Sequence, residues 1–202
     1  MEKTLIATSL CLAAALGTTA ANAALLSRLG GAALYDDSAN LTWLRDSNYA
    51  KTSGYDADGV MNWDAANTWA GSLNIDGVTG WRLPGGPMEW ENIRTSEMGN
   101  LYYNVLGGVF GRYLEFWHNA NYDLFSNVDP GSSYWSGVEF DSGHAWTFSF
   151  FSGNWFDAVP KSVNNFGWAV HSGDVSSVAV PPPALLLISA LGALGLMRRR
   201  IA

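Results

Sequence analysis

The sequence predicts an α+β fold in which two helices precede a twisted antiparallel sheet. Three observations carry this. Apolar residues at three- and four-residue spacing fall early, between positions 62 and 106. Alternation of apolar and polar residues, punctuated by hairpin turns, fills the last third of residues 24–180. No unit recurs at solenoid length. Helices and strands segregated along the chain in this way make α+β rather than α/β layers.

Residues 24–34 are small and apolar and predict a first strand, closed by a turn cluster over 35–40. Leu41–Leu44 is a short β-prone run, and 45–60 is polar and irregular, with Gly54 and Gly59 as breakers. Asn62 is placed to cap a helix running to about Leu73, with Ala66, Trp69, Ala70 and Leu73 on its buried face. The glycines and prolines over 77–87 predict a rigid turn around Trp81-Arg82-Leu83. A second helix is predicted over 88–106, with Met98, Leu101, Tyr102 and Val105 facing inward and Gly107-Gly108 stopping it. Tyr134, Ser136, Val138 and Phe140 alternate with Trp135, Gly137 and Glu139. Asp141-Ser142-Gly143 and Ser152-Gly153-Asn154 read as hairpin turns, flanking a strand that carries Trp146, Phe148 and Phe150. A last strand is predicted over 166–170.

The two ends of the 202-residue chain have a different character. Lys3, an apolar stretch from Leu5 to Leu16 and the triplet Ala21-Asn22-Ala23 make the three parts of an export peptide over 1–23, with Ala21 and Ala23 framing the cleavage site. At the other end, Val180-Pro181-Pro182-Pro183-Ala184 leads into a 14-residue apolar stretch and then Arg198, Arg199 and Arg200. As a helix that stretch measures about 21 Å at 1.5 Å per residue, against a hydrocarbon core of about 30 Å, so it barely spans a membrane. The arginines would stay in the cytoplasm and the body outside. Residues 24–180 are therefore the globular domain and 181–202 a sorting tail.

Charge and cysteine exclude several functions. The 24–180 body holds seven Lys and Arg against 17 Asp and Glu, a net of −10. Such a surface does not bind nucleic acid by neutralising phosphates, and it repels sulfated and other polyanionic glycans unless a cation bridges. The sole cysteine, Cys11, lies in the export peptide. A mature body has no disulfide, thiol nucleophile or cysteine metal site. At 157 residues it is large enough to fold without such staples. All 10 Trp, 9 Phe and 8 Tyr fall within it, a load that argues against disorder.

The ordered end resembles the PEP-CTERM sorting signal, with Pro183 where that signal often carries Glu. The resemblance implies processing by an exosortase and export across the inner membrane of a Gram-negative bacterium that makes exopolysaccharide. It also implies transient anchoring through the C-terminal helix, followed by release to the cell surface or biofilm matrix. The body carries five elements in order: Asn40-Leu41-Thr42-Trp43-Leu44-Arg45-Asp46, Met61-Asn62-Trp63-Asp64-Ala65-Ala66, Gly80-Trp81-Arg82-Leu83-Pro84, Tyr134-Trp135-Ser136-Gly137 and Trp168-Ala169-Val170-His171. Together they resemble the Lcl C-terminal domain family over about residues 34–174, with Asn40 where Gly is usual and His171 where Arg is common. That family has long been carried as a domain of unknown function; the resemblance implies a C-type-lectin-like fold, related to that of formylglycine-generating enzymes, and the family's namesake binds glycans. Formylglycine chemistry depends on active-site cysteines, which this body lacks.

The candidate residues follow from chemistry. Aromatic rings offer flat faces to the C–H side of a pyranose, and Trp117, Trp135, Trp155 and Phe156 are the residues proposed for that role, with Trp155 and Phe156 expected to be exposed after their turn. Asp56 and Asp58 form an acidic turn that offers calcium two carboxylates, without the ligand spacing of an EF-hand. Arg82 is expected to pair with a carboxylate such as Asp46 or Asp64. His118, His144 and His171 are scattered, no nucleophile elbow surrounds Ser136 or Ser152, and nothing pairs Glu89, Glu91, Glu97 and Glu115. The expectation is a non-catalytic surface or matrix module that binds exopolysaccharide or another glycan, needs no cofactor beyond an optional calcium ion, and has no nucleic-acid partner. The alternative is a structural surface protein that self-associates without a glycan.

Overall fold

A computed structural model of the chain describes residues 25–87 and 90–176. The predicted export peptide with Ala21 and Ala23, Glu89, and the predicted sorting tail from Val180 through Arg200 lie outside the described residues. Two sheets form the body. The first orders its strands β1 (Leu25–Arg28), β2 (Ala33–Asp36), β3 (Leu41–Leu44) and β9 (Val170–Ser172). The second orders β4 (Val60–Met61), β8 (Asn165–Phe166), β5 (Ser133–Glu139), β6 (His144–Ser149) and β7 (Asn154–Pro160). Neighbours pair antiparallel except β5 with β8. Few helices and two largely antiparallel sheets make the α+β class that the sequence predicts.

The helical half departs from expectation in two places. Helix α2 (Trp63–Ser72) starts where Asn62 caps it, the side chain accepting the Ala65 N–H at 2.9 Å, and it buries Ala66, Trp69 and Ala70. The single helix expected over 88–106 is instead three pieces: a 3-10 turn at Trp90–Thr95, α3 (Glu97–Asn100) and a π-helical turn at Leu101–Val105. Gly85-Gly86 crosses at Ser96 and forces the break. A Cβ on Gly86 would lie 2.9 Å from the Ser96 Cα, and the Glu97 N–H is drawn to the Gly85 carbonyl. Ser96 then restarts the helix by accepting the Gly99 N–H. The inward face is as expected, with Met98, Leu101, Tyr102 and Val105 fully buried. A short helix, α1 (Tyr49–Thr52), occupies part of the stretch expected to be irregular.

Two predicted strands also divide. The 24–34 stretch folds back on itself as β1, a 3-10 turn at Leu29–Gly31 and β2. The 166–170 stretch changes sheets. Phe166 pairs with Val60 in the second sheet, whereas Val170 pairs with Trp43 in the first. Between them Gly167 passes close to the Trp69 ring, where a Cβ would approach to 2.9 Å. Trp168 turns inward and donates its indole N–H to the Leu44 carbonyl at 2.7 Å. Its ring packs against Trp43, Phe125, Tyr134 and Phe150, with centroids 5.2–5.7 Å apart. The core is this aromatic seam between the sheets.

Candidate functional site

The Trp81-Arg82-Leu83-Pro84 segment is the joint between the two sheets. Arg82 exchanges two backbone hydrogen bonds with Val170 of β9, at 3.0 and 2.9 Å. Two residues on, the Pro84 carbonyl accepts the Gly137 N–H and the Ser136 hydroxyl from β5. Trp81 and Leu83, on either side of Arg82, are buried. Arg82 does not pair with Asp46 or Asp64. It forms a bidentate pair with Glu97, both contacts 2.7 Å, and the same carboxylate accepts the Gly85 N–H. Asp46 instead accepts the Asn48 N–H and the Asn127 side-chain amide. Asp64 sits in the first turn of α2, where a carboxylate favours the helix N-terminus. Donating to Glu97 holds the Arg82 proton more firmly than usual. The segment is a structural clamp, and its one charged side chain is committed.

The acidic turn is closed on itself. Asp56 accepts the N–H groups of Asp58 and Gly59, and Asp58 accepts that of Val60. The Gly59 N–H foremost holds the Asp56 carboxyl below the usual carboxylate range. No group of three or more His, Cys, Asp or Glu that could hold a metal occurs among the described residues. The histidines occupy three separate places: His118 against Tyr122, His144 beside Asp141 and His171 against Trp81.

Two of the four aromatic candidates are not at the surface. Trp135 is completely buried and donates its indole N–H to the Met61 carbonyl. Trp155 is also buried, 4.9 Å from the Phe148 ring, because its turn aims it at the core and its neighbour outward. Phe156 is that neighbour, exposed on edge strand β7 and apart from other exposed rings. Trp117 is exposed, and it has company that the sequence reading overlooked.

Phe110, Tyr113, Phe116 and Trp117 project from the segment after Gly107, with exposures of 59, 48, 72 and 51 %. Phe151, at the tip between β6 and β7, joins them, its ring 4.1 Å from Tyr113. The Arg112 guanidinium lies 5.2 Å from the Trp117 ring centroid. This is a held surface. Gly107 has φ +76°, and Asn119 folds back to bond the Leu106 and Val105 carbonyls. The Gly111 N–H reaches the Ser152 carbonyl at 2.9 Å. The Tyr102 hydroxyl donates to the Arg112 carbonyl at 2.8 Å, and Leu114 is buried as an anchor. Burial pushes the Tyr102 phenol up to about 12. The available signal was Val109-Phe110-Gly111-Arg112-Tyr113-Leu114-Glu115-Phe116-Trp117, aromatic-rich, with Phe110, Tyr113, Leu114 and Trp117 at a helical spacing that the folded segment, a run of turns, does not use.

A two-sheet α+β module clamped at a Trp-Arg-Leu-Pro joint and carrying an aromatic surface loop is the class of protein these features define. The chain belongs to the Lcl C-terminal domain family, which it matches over residues 32–171. That span begins just before β2, includes the joint and the aromatic loop, and ends in β9. No curated protein matches the sequence.

Proposed function

We propose that this is an exported, non-catalytic module of the cell surface or matrix that binds an uncharged exopolysaccharide through the aromatic patch. The observation that carries the reading is a group of five exposed rings, four on a loop pinned by backbone hydrogen bonds and the fifth, Phe151, on the adjoining β6–β7 tip. An exposed apolar cluster costs solubility, and its persistence on a charged body points to a ligand. Rings stack on the apolar faces of sugars with little loss of side-chain freedom when the loop is already ordered. The net charge of −10 favours a neutral polymer over an acidic one. The export peptide, the PEP-CTERM-like tail with its implied exosortase, and the C-type-lectin-like fold implied by the family belong to the same reading.

The test is a panel of neutral and acidic polysaccharides, with and without calcium, against residues 24–180. Neutral polymers are expected to shift tryptophan fluorescence, and Phe116→Ala with Trp117→Ala to abolish the shift. A panel that moves nothing sinks the reading. A dependence on calcium would direct attention to Asp56 and Asp58. Self-association is the second reading, favoured by the 72 % exposure of Phe116. It predicts ligand-free oligomers that Phe116→Ala disperses, and a strict monomer at high concentration in light scattering rules it out.

A further inference from the structure

A cleft of about 590 Å³ opens between the segment that includes α1 and residues 127–130, and no ring of the aromatic patch lines it. Its walls are stitched together before any ligand arrives. The Ser47 N–H donates to the Ser126 carbonyl, and the Ser126 N–H donates to that of Arg45, at 3.0 and 2.9 Å. The Ser47 hydroxyl donates to the Asn127 carbonyl at 2.6 Å, and the Asn127 side-chain amide reaches Asp46 at 2.9 Å. These bonds hold Asn127 in the left-handed region, at φ +57°, a conformation asparagine tolerates better than most residues.

The lining is chemically mixed. Lys51 is in it, and Lys51 stands apart among the seven Lys and Arg of the body. Arg28, Arg82 and Lys161 are paired with carboxylates. Arg45 donates to the Leu124 carbonyl, and Arg94 and Arg112 lie over aromatic rings. The Lys51 ammonium has no such partner among the described residues. Asp129 is in the same lining, with one carboxylate oxygen accepting the Gly131 N–H and the other open. Val128 and Pro130 flank it and give the wall apolar surface.

We propose that this cleft binds the acetamido group of an N-acetylated amino sugar. Such a group has a carbonyl that needs a donor, an N–H that needs an acceptor and a methyl that needs apolar contact. Lys51, Asp129 and the Val128–Pro130 wall supply these in turn. The alternatives fit less well. A ligand carboxylate would meet Asp129 as well as Lys51, on a body already at −10, and a free amine would meet Lys51. A neutral amide suits both. The inference rests on the polysaccharide reading and deepens it: the aromatic patch takes sugar faces and the cleft selects an acetylated polymer.

The test is NMR titration of residues 24–180 with a β-1,4-linked N-acetylglucosamine tetramer, its deacetylated form and a glucose tetramer. The side-chain amides of Asn48 and Asn127 report the cleft, and the Trp117 indole N–H reports the patch. The acetylated tetramer is expected to move the cleft amides and to bind at least about tenfold more tightly than the other two, since each of them leaves Lys51 or Asp129 unmatched. Lys51→Met and Asp129→Asn, both outside the core, are expected to weaken it about tenfold each. Equal binding of the three tetramers, or unchanged affinity in Lys51→Met, overturns the inference. Movement of Trp117 alone leaves the aromatic patch standing and the cleft refuted. Movement of the cleft amides alone does the reverse, and silence at both positions removes the cleft.

Discussion

The aromatic core and the aromatic loop are built from the same residue types and behave oppositely. In the core, Trp43, Trp81, Trp135 and Trp168 are closed off from water, and the last three send their indole N–H groups to backbone carbonyls. In the loop, Trp117 and Phe116 show more than half their surface and touch mainly each other's neighbours. The difference is where the backbone is satisfied. Trp43 and Trp135 hang from strands, and Trp81 and Trp168 from segments that run between the two sheets. Loop rings hang from a segment whose backbone is tied off locally by Asn119, Tyr102 and Ser152, which leaves the side chains with nothing above them. Aromatic content alone therefore does not tell a core ring from a surface ring; the destination of the neighbouring backbone hydrogen bonds does.

The contrast is broken most severely at Trp168. Trp168→Ala empties the seam between the sheets and orphans the Leu44 carbonyl, and is expected to cost about 3–5 kcal/mol in urea unfolding, the range for a buried Trp. Glu97→Gln follows. It removes the charge from a bidentate pair that ties the joint to α3, and the expected loss is about 1–2 kcal/mol, discounted because the Arg82 side chain is 40 % exposed. Circular dichroism melts on both variants check these values.

The loop's frame also has a pH signature. The Tyr102 proton is held to about 12 in the folded chain against 10.0 for a free phenol. Below pH 10 both states keep it, so its contribution to stability is intact. Between pH 10 and 12 the unfolded chain ionises first and stability falls. Melting temperature measured across that window should drop, and Tyr102→Phe should flatten the part of the slope due to this phenol. The smallest stability effect belongs to the patch itself. Phe116→Ala and Trp117→Ala are expected to change unfolding free energy by no more than about 0.5 kcal/mol, as surface substitutions do, while removing polysaccharide binding. A large destabilisation would make the patch a part of the core.

Much of the local structure was legible in the residues. Leu41–Leu44 is a strand with the expected bounds, Asn62 caps α2, and both hairpin turns fall where Asp141-Ser142-Gly143 and Ser152-Gly153-Asn154 place them. What escaped was set by distant contacts. The break at Ser96 comes from a glycine pair ten residues upstream, and the partner of Arg82 is chosen by how α3 docks. Trp155 precedes Phe156 in an alternating strand, and which of them faces inward depends on the register with β6, where Trp155 sits opposite Phe148. The candidate site was legible only at Trp117. Three of its companions lie in a run of turns whose helical spacing points to a helix that does not form, and Phe151 reaches the patch from the tip between β6 and β7.

The ion pair between Arg28 and Asp174 brings the first strand and the segment just after the last one to the same place, 146 positions apart in sequence. A body with its two ends side by side attaches to whatever precedes and follows it by a single stalk. A circularly permuted chain, joined across those ends and reopened at Ser142 in the exposed hairpin between β5 and β6, should keep both sheets and the joint. In a row of such units, each would hang beside the connecting chain, and none would lie within the line of pull.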